Sequence, residues 1–550
     1  MNADKSGLNP QPLAVAGALP EPVPVGAGPI AVPGGAVAGV LLDRRSRLGV
    51  RAWLLTGFLL LAPLIVFWPA IFHDYGLRDD YSTLREAHEE PGKVLKFCAS
   101  HARPIYGLLL QATYRQTTSV GNLQWLRFFS ALLLGAISLV SFRGLRSVGW
   151  HFNPALCFAV LVGLVPAAQV IAGWAIGWPY AVTALVALGG FFMADGALAA
   201  GNWTQRTLIQ WGVALGLMVA GALIYQPSAL FYFVPLAGAL ITQRERGPGP
   251  TARWALTHLG FVAVSLALAF GIMRALYAMG VFVKSDRIAF ESQWFDKLRW
   301  FLEEPLPNAL SLFVLNDDHH RDHGLYMAGA TFAGLLLAAG AAIEWRRHGK
   351  GRGLVWIAGL VGLPTAAFAV SLIASERYAT YRTIFAMTAV LLCFLVASAR
   401  MLTEHLGPGA RRIIAAVVIC AAILSARHHS YALLAVPQGN EWDLVVAGAK
   451  RVHLVDHGRT DEPHPRIFAI ASTPADISTA TIYHDEFGSL SSNSEWVPKE
   501  MFKRAMHDLH PDIANIESRY EFATGSRLPT GKRFDVIIDL HRLRRFYTNS

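Results

Sequence analysis

Long runs of apolar residues, each ended by a short polar or basic stretch, recur along the chain from residue 52 to residue 426. Eleven of them are predicted to be helices, at 52–72, 124–142, 154–173, 178–198, 207–225, 228–242, 254–277, 324–344, 353–374, 378–399 and 411–426. About 20 predominantly apolar residues carry a helix across about 30 Å of hydrocarbon, and most of these runs approach or reach that length. After residue 426 the pattern becomes polar and mixed. There "RIFAIAS" and "FDVIIDL" read as strands, and "EWDLVVAGAKRV" and "PKEMFKRAMHDL" read as helices. The expected fold class is a polytopic α-helical membrane protein with a small C-terminal α/β domain, divided at 1–42, 43–426 and 427–550. No internal repeat is visible.

The basic residues fall between the runs and give the chain a direction. With the N-terminus inside, the inner loops collect Arg44, Arg45, Arg47 and Arg51, then Arg143 and Arg146, Arg206, and Arg244, Arg246 and Arg253. They go on to collect Arg346, Arg347, Lys350 and Arg352, then Arg400, Arg411 and Arg412. Among the short outer loops only the one holding Arg377 carries a basic residue, so the positive-inside rule sets the orientation. The stretch "PIYGLLLQATYRQTT" at 104–118 is too short and polar to cross and is expected to be a surface or re-entrant helix on the outer side. Counting it as a span would move every later basic cluster to the wrong face.

Two long loops, 73–123 and 278–323, and the C-terminal part then face outward. In the second loop Trp294, Leu298, Phe301 and Leu302 share one helical face opposite Asp296, Lys297 and Arg299, which suits a helix lying along the interface. The first 42 residues, with Pro at 20, 22, 24, 29 and 33, read as a disordered cytoplasmic tail. They lack the charged start and apolar core of a secretory signal, so the first span is expected to be an uncleaved anchor in a bacterial-type inner membrane.

Composition supports this picture. Hydrophobic residues make up 53% of the 550 and charged residues 16%, so lipid is the main solvent of the chain. The net charge of +10 would suit nucleic acid only if the basic residues shared a face, and they are spread between spans. Cys157, Cys393 and Cys420 lie in apolar runs and Cys98 stands alone in a polar loop, a pattern that suggests neither a disulfide framework nor a cysteine-type zinc site.

Candidate chemistry gathers on the outer side. In "GLRDDYSTLREAHEE", residues 76–90, Asp79 and Asp80 follow the first span within a few residues. Burying them in lipid would cost several kcal/mol, so they face water or a polar cavity. One reading is a solvated charge cluster that helps to hold topology. The other takes in "SHARPIYGLLLQ", which returns His101 and Arg103 to the interface beside the same loop. A carboxylate and a guanidinium in one interfacial pocket suit sugar transfer from a lipid phosphate, the first taking a proton and the second holding the leaving group.

At these residues the chain resembles the polytopic glycosyltransferases of the GT-C superfamily, and more narrowly the GtrII-like glucosyltransferase family. The resemblance rests on Asp79-Asp80-Tyr81-Ser82 directly after the first span, Arg103-Pro104 opening the next helix, the eleven-span layout, an Arg and Tyr motif before a late span, and an outer C-terminal domain. It implies a transferase that uses a polyprenyl-phosphate sugar donor outside the cytoplasm on a glycan or lipid acceptor. Asp79 or Asp80 would be the general base, with Tyr81 and His101 near the substrate. A separate donor-synthesising enzyme and a flippase commonly accompany such systems. Some relatives need a divalent cation and others do not.

A departing phosphate needs cations, and "SERYATYR" at 375–382 supplies Arg377 and Arg382 with Tyr378 and Tyr381. Snorkelling toward lipid headgroups explains the same arginines equally well. Arg274, near the outer end of the seventh span, is a weaker candidate of the same kind. The run "NDDHHRDH" places Asp317, Asp318, His319, His320, Asp322 and His323 together, but its spacing matches no defined metal site and a solvated, pH-sensitive loop accounts for it. Trp174, Trp178 and Tyr225-Gln226-Pro227 line outer turns as belt residues or stacking surfaces. "YHDEFGSL" at 483–490 and Trp496 offer residue types that grip glycans, or an acidic turn and a core Trp. Two rival functions are a flippase or carrier for a lipid-linked sugar and an envelope polysaccharide polymerase. The near absence of paired charges within the spans argues against ion-coupled transport.

Overall fold

A backbone amide in hydrocarbon has no water to bond, so each crossing closes its hydrogen bonds within a helix. The computed structural model describes residues 49–242, 247–316, 324–454, 464–471, 486–513 and 515–543. The tail expected at 1–42 and the acidic and histidine run at 317–323 lie outside the described residues. α1 (Val50–Ile71) makes the first crossing. Three short helices follow at its far end: α2 (Asp79–Glu89), α3 (Lys93–Ser100) and α4 (Pro104–Tyr114). At 1.5 Å per residue α4 is about 16 Å long, roughly half of what a crossing needs.

α5 (Leu123–Ser147) returns along α1. The two approach so closely that a Cβ on Gly135 would lie 2.1 Å from the Leu60 carbonyl oxygen. Small residues permit this kind of contact between membrane helices, where packing rather than hydrophobicity drives association. The third crossing, expected as one helix over 154–173, is two: α6 (Phe152–Val162) and α7 (Pro166–Gly173), bent by 47°. Pro166 has no N–H to continue the ladder and forces Val165 to extended backbone, with ψ 157. The Gln169 side-chain amide donates to the freed Leu164 carbonyl at 2.8 Å.

α8 (Trp178–Ala200), α9 (Gln205–Ala229), α10 (Phe233–Thr242) and α11 (Pro248–Ala278) complete the first half of the bundle. α9 breaks at Tyr225 (φ −155, ψ 103). A Cβ on Gly221 would sit 3.7 Å from that of Ala229, eight residues later, where a straight helix would separate them by about 12 Å. The chain therefore reverses at Tyr225. After α12 (Trp294–Glu303) and α13 (Pro305–Leu310), α14 (Gly324–Ala367) repeats the device at Gly349, whose φ of 78 belongs to the left-handed region. Here the Cβ position of Gly353 falls 3.0 Å from Trp345 Cα. α15 (Ala369–Ile373), α16 (Phe385–Leu402) and α17 (Pro408–His428) follow. Among the described residues eight helical stretches are long and apolar enough to cross a membrane, or nine with the bent pair. Dividing two of them at Tyr225 and Gly349 yields a path that follows the eleven apolar runs.

Two expectations change in detail. The tenth run does not begin as a helix at 378 but at Phe385, which leaves 375–384 as a turn carrying Tyr378 and Arg382. On α12, Trp294, Leu298 and Leu302 are exposed as on an interfacial helix, whereas Phe301 turns inward and stacks on Phe368 at 5.7 Å.

α17 runs on through a π turn (His429–Ala435) into α18 (Val436–Ala449), so one continuous rod leads from the bundle into the C-terminal part. There β1 (Arg466–Ile470), α19 (Val497–Leu509), β2 (Glu521–Gly525) and β3 (Val536–Asp539) build a parallel sheet in the order β2-β1-β3. Ile467 of β1 pairs with Phe522 on one side and Val536 on the other. β2 has no counterpart in the sequence reading because its Ala, Thr and Gly lack the apolar signature of a strand.

The contact between α1 and α5 generates a test. Gly135→Val should lower stability by about 1–3 kcal/mol through overpacking, read as a lower thermal midpoint of the detergent-solubilised protein. Gly57→Val, where an added Cβ meets nothing within 4 Å, serves as the silent control.

Candidate functional site

The last carbonyls of a helix have no partner within it. At the end of α1 one buried cation satisfies them and the turn that follows. Arg127, in the first turns of α5 and 0% exposed, donates from Nε to the Ile71 carbonyl at 3.0 Å, from Nη2 to His73 at 2.7 Å and from Nη1 to Tyr75 at 2.7 Å. Its guanidinium lies 4.1 Å from the centre of the Tyr75 ring. The Tyr75 hydroxyl in turn donates to the Gly173 carbonyl at 2.7 Å. The loop between α1 and α2 is thereby wrapped around a single side chain.

The next residue to matter is Arg78, with φ 43, a strained setting for a residue that carries a Cβ. Two serines of the C-terminal part hold it. Its N–H donates to Ser491 Oγ at 2.9 Å and its Nη2 donates to Ser489 Oγ at 3.0 Å. α2 then starts with Asp79 and Asp80, where carboxylates complement the helix dipole.

The two aspartates have different surroundings. Asp80 is 0% exposed, and its oxygens accept from the Leu77 N–H at 2.9 Å and the Tyr114 hydroxyl at 2.6 Å. Burial pushes its carboxyl up to about 6, against the pull of those two hydrogen bonds. Asp79 is half-buried and, with Arg382 and Arg103, lies within electrostatic range of the Tyr180 hydroxyl. Tyr81 is enclosed: its hydroxyl bonds the Gly76 backbone at 3.0 and 3.2 Å and its ring stacks on Trp442. Its role in the structure is to fold the loop.

Arg103 donates from Nε to Gln226 Oε1 at 3.3 Å, with its guanidinium 4.7 Å from the Tyr225 ring. Gln226 returns a hydrogen bond from Nε2 to the Ala102 carbonyl at 2.8 Å. The reversal of α9 at Tyr225 thus meets the start of α4. His101 places Nδ1 2.9 Å from the Phe97 carbonyl, so Nδ1–H donates there, and Nε2 is 3.4 Å from Ser285 Oγ. Burial is the main cause of its lowered pKa.

Arg382 stacks at 4.3 Å on Trp174, donates to the Tyr378 hydroxyl at 2.6 Å and approaches Glu486 Oε1 at 3.4 Å. Glu486 is 0% exposed. Between the two arginines stands a column of tyrosines. Tyr180 lies 4.1 Å from Tyr225 and 5.4 Å from Tyr106 between ring centres, and the Tyr106 and Tyr180 hydroxyls are 3.0 Å apart. Arg377 points elsewhere, exposed and within range of Glu291 and Lys297. Arg274 is exposed on α11 beside a recess lined by Ala102, Tyr277 and Lys284.

Beside this cluster opens a cavity of about 590 Å³ between α9, α10, α11 and α15. Leu230, Phe233, Val262, Leu266, Phe270 and Val370 are among its apolar walls, and His101, Arg103, Arg287, Glu376 and Tyr378 supply the polar groups that line it. An apolar pocket with few convergent polar groups is the usual form of a ligand site. Its chemistry suits an amphiphile with an anionic head.

Glu89, His507 and Glu517 bring ligand-type atoms within 4.8 Å of one another at the far end of α2. Cations already serve these carboxylates: Arg85 reaches Glu89 at 3.0 Å and Lys503 reaches Glu517 at 3.1 Å. The cluster is an ion-pair seam between α2 and the C-terminal part, to which Arg85 adds Glu500 at 2.7 Å.

The sequence reading did not single out Arg127, Tyr180 or Glu486 as functional residues. Arg127 is one basic residue in an apolar run, and Glu486 lies inside the 483–490 stretch noted only for its composition. Pairing either with its partner requires the fold.

No family model matches the chain, and no curated protein matches it. Three solved structures of oligosaccharyltransferase from Archaeoglobus fulgidus, one of them named archaeal AglB, are similar to it in part. The one in complex with an inhibitory peptide and a dolichol-phosphate shares 13% identity at a TM-score of 0.41, covering 84% of this chain and 64% of that one. The complex with Zn and sulfate gives 13% and 0.39, covering 82% and 61%, and the apo form 12% and 0.40, covering 84% and 65%. The chain spans less than two thirds of the length of these neighbours.

Asp80 makes stability depend on pH. Its folded pKa is raised, so the folded state holds a proton that the unfolded chain releases between about pH 4 and 6. Stability from this group is greatest below that window and falls by about 3 kcal/mol as pH rises through it. Asp80→Asn should flatten the change of thermal midpoint between pH 4 and 6. An unchanged slope would show that Asp80 is already ionised in the fold.

Proposed function

We propose that the protein is a membrane glycosyltransferase of GT-C type, which moves a hexose from a polyprenyl-phosphate donor to a hydroxyl of a cell-envelope glycan or lipid, with inversion. The observation that carries this reading is the placing of Arg103 on Tyr225, itself packed on Tyr180, with Asp79 and Arg382 within electrostatic range of that tyrosine, beside a cavity with apolar walls and a polar edge. A polyprenyl chain fits the apolar walls, and the sugar phosphate then stands near the arginines. The proposed surface is the periplasmic face of a bacterial inner membrane. Its support is that Arg400, Arg411 and Arg412 line a groove at the opposite end of the bundle, where a cytoplasmic side is expected to be basic.

Asp79 is the general base. It is set at the start of a helix, beside the strained Arg78, so position decides its effect. It accepts the proton of the acceptor hydroxyl as that oxygen attacks the anomeric carbon. The bond from the anomeric carbon to the phosphate oxygen breaks, and polyprenyl phosphate leaves with the electron pair. Arg103 and Arg382 offset the charge that grows on the phosphate. Aromatic stacking on Trp174 and Tyr225 and the bond to Gln226 hold both guanidinium groups in place before the donor arrives. Asp80, with both oxygens engaged and no exposure, positions the loop.

The test uses membranes supplied with a labelled polyprenyl-phosphate hexose. Asp79→Asn should lower transfer by about 10²–10⁴-fold, the usual worth of a general base. Asp80→Asn should keep most of the rate. Arg382→Gln and Arg103→Gln should raise the KM for donor more than that for acceptor, while Arg377→Gln changes little. Transfer at the parental rate by Asp79→Asn would remove the proposed base.

A further inference from the structure

A second groove, of about 730 Å³, opens on the side of the bundle away from the Asp79 cluster. α6, α14, α16, α17 and the turn after α13 form its walls. Along α16 its lining runs from Leu392 to Thr403, about 16 Å at 1.5 Å per residue, roughly half of a hydrocarbon core of about 30 Å. Gly329 near the start of α14 and residues 310–314 at and after the end of α13 line its other end, so the groove runs most of the way along the crossing. Leu161, Phe332, Leu336, Leu395 and Val418 make the wall apolar.

One end of the groove is cationic. Arg400, Arg411 and Arg412 line it there, with His151 beside them. The Arg411 Nε–H is buried and meets no hydrogen-bond partner among the described residues. The nearby carboxylate Glu404 is bonded to Arg347. Arg400 is the largest cause of a lowered pKa at His151, with Arg146 and Arg411 adding to it and Glu404 opposing, so positive potential prevails at this end. A buried guanidinium N–H without an acceptor is costly, and an anionic oxygen would satisfy it.

We propose that this groove is a specific seat for one anionic phospholipid, its phosphate held by Arg411, Arg412 and Arg400 and one acyl chain lying along α16 and α17. Charge complementarity at the basic end commits the site to a phospholipid; a polyprenyl donor seated here would carry its phosphate to the side opposite Asp79. Basic pockets between membrane helices bind anionic headgroups in this way, at about 1 kcal/mol for each Lys or Arg near the surface. The seat does not depend on the glycosyltransferase reading, because none of its residues touches the Asp79 cluster.

The experiment is native mass spectrometry of the full-length protein in detergent, titrated with phosphatidylglycerol or phosphatidylcholine. One phosphatidylglycerol should be retained at concentrations where phosphatidylcholine is lost. The Arg411→Gln, Arg412→Gln double variant should bind phosphatidylglycerol at least about tenfold more weakly. Ala415→Trp, which fills the groove and keeps the charges, should also lose it. Both variants should keep the parental thermal midpoint in lipid-free detergent and lose the rise that phosphatidylglycerol gives the parent. Equal retention of the two lipids, parental binding by either variant, or displacement of phosphatidylglycerol by equimolar polyprenyl phosphate would overturn the proposal.

Discussion

The geometry of the Asp79 cluster depends on one buried cation. Arg127 collects three carbonyls from the end of α1 and the turn after it, and lies against the Tyr75 ring. A guanidinium has five donors in a rigid plane, so it can close a turn that no backbone ladder closes. Removing it would leave those carbonyls buried without donors, each at a cost of about 1–3 kcal/mol. The turn directs Leu77 and Arg78, and these set where Asp79 begins its helix. The placement of Asp79 and the packing of the first two crossings thus meet at one fully buried residue.

The C-terminal part contributes to the same place. Residues 486–492 send Glu486 to Arg382 and Ser489 and Ser491 to Arg78. Gln438 and Glu441 of α18 hold that segment: Gln438 accepts from the Ser491 hydroxyl at 2.6 Å, and the two oxygens of Glu441 take the N–H groups of Ser491 and Ser492 at 2.9 and 3.0 Å. One short loop therefore bridges the arginine late in the chain and the aspartates early in it. Two distant stretches of sequence are fixed relative to each other by a third.

Much of the bundle was legible in the sequence because lipid imposes a coarse rule: apolar length gives crossings, and basic ends give their direction. The bend at Pro166 and the helical start at Phe385 escaped because local breaks do not alter mean hydropathy. The acidic pair was legible as a pair, but not the difference in surroundings within it. Asp79 and Asp80 are identical in composition and differ only in what surrounds them, Tyr114 and the Leu77 N–H for one and the Tyr180 neighbourhood for the other. Arg382 was legible for its chemistry, while its partners Trp174 and Glu486 lie 208 residues before and 104 after it.

The rod of α17, the π turn and α18 is 42 residues long, about 63 Å. Among the described residues it runs from the bundle to Ala449 without a break. Leu434 on the π turn presses against Gly173, where an added Cβ would lie 2.3 Å from its Cδ2, and the Gly173 carbonyl accepts from Tyr75. The sheet leans on this shaft where Gly448 meets Ile538, so a tilt of the shaft reaches, through Leu434 and Gly173, the turn that leads to Asp79.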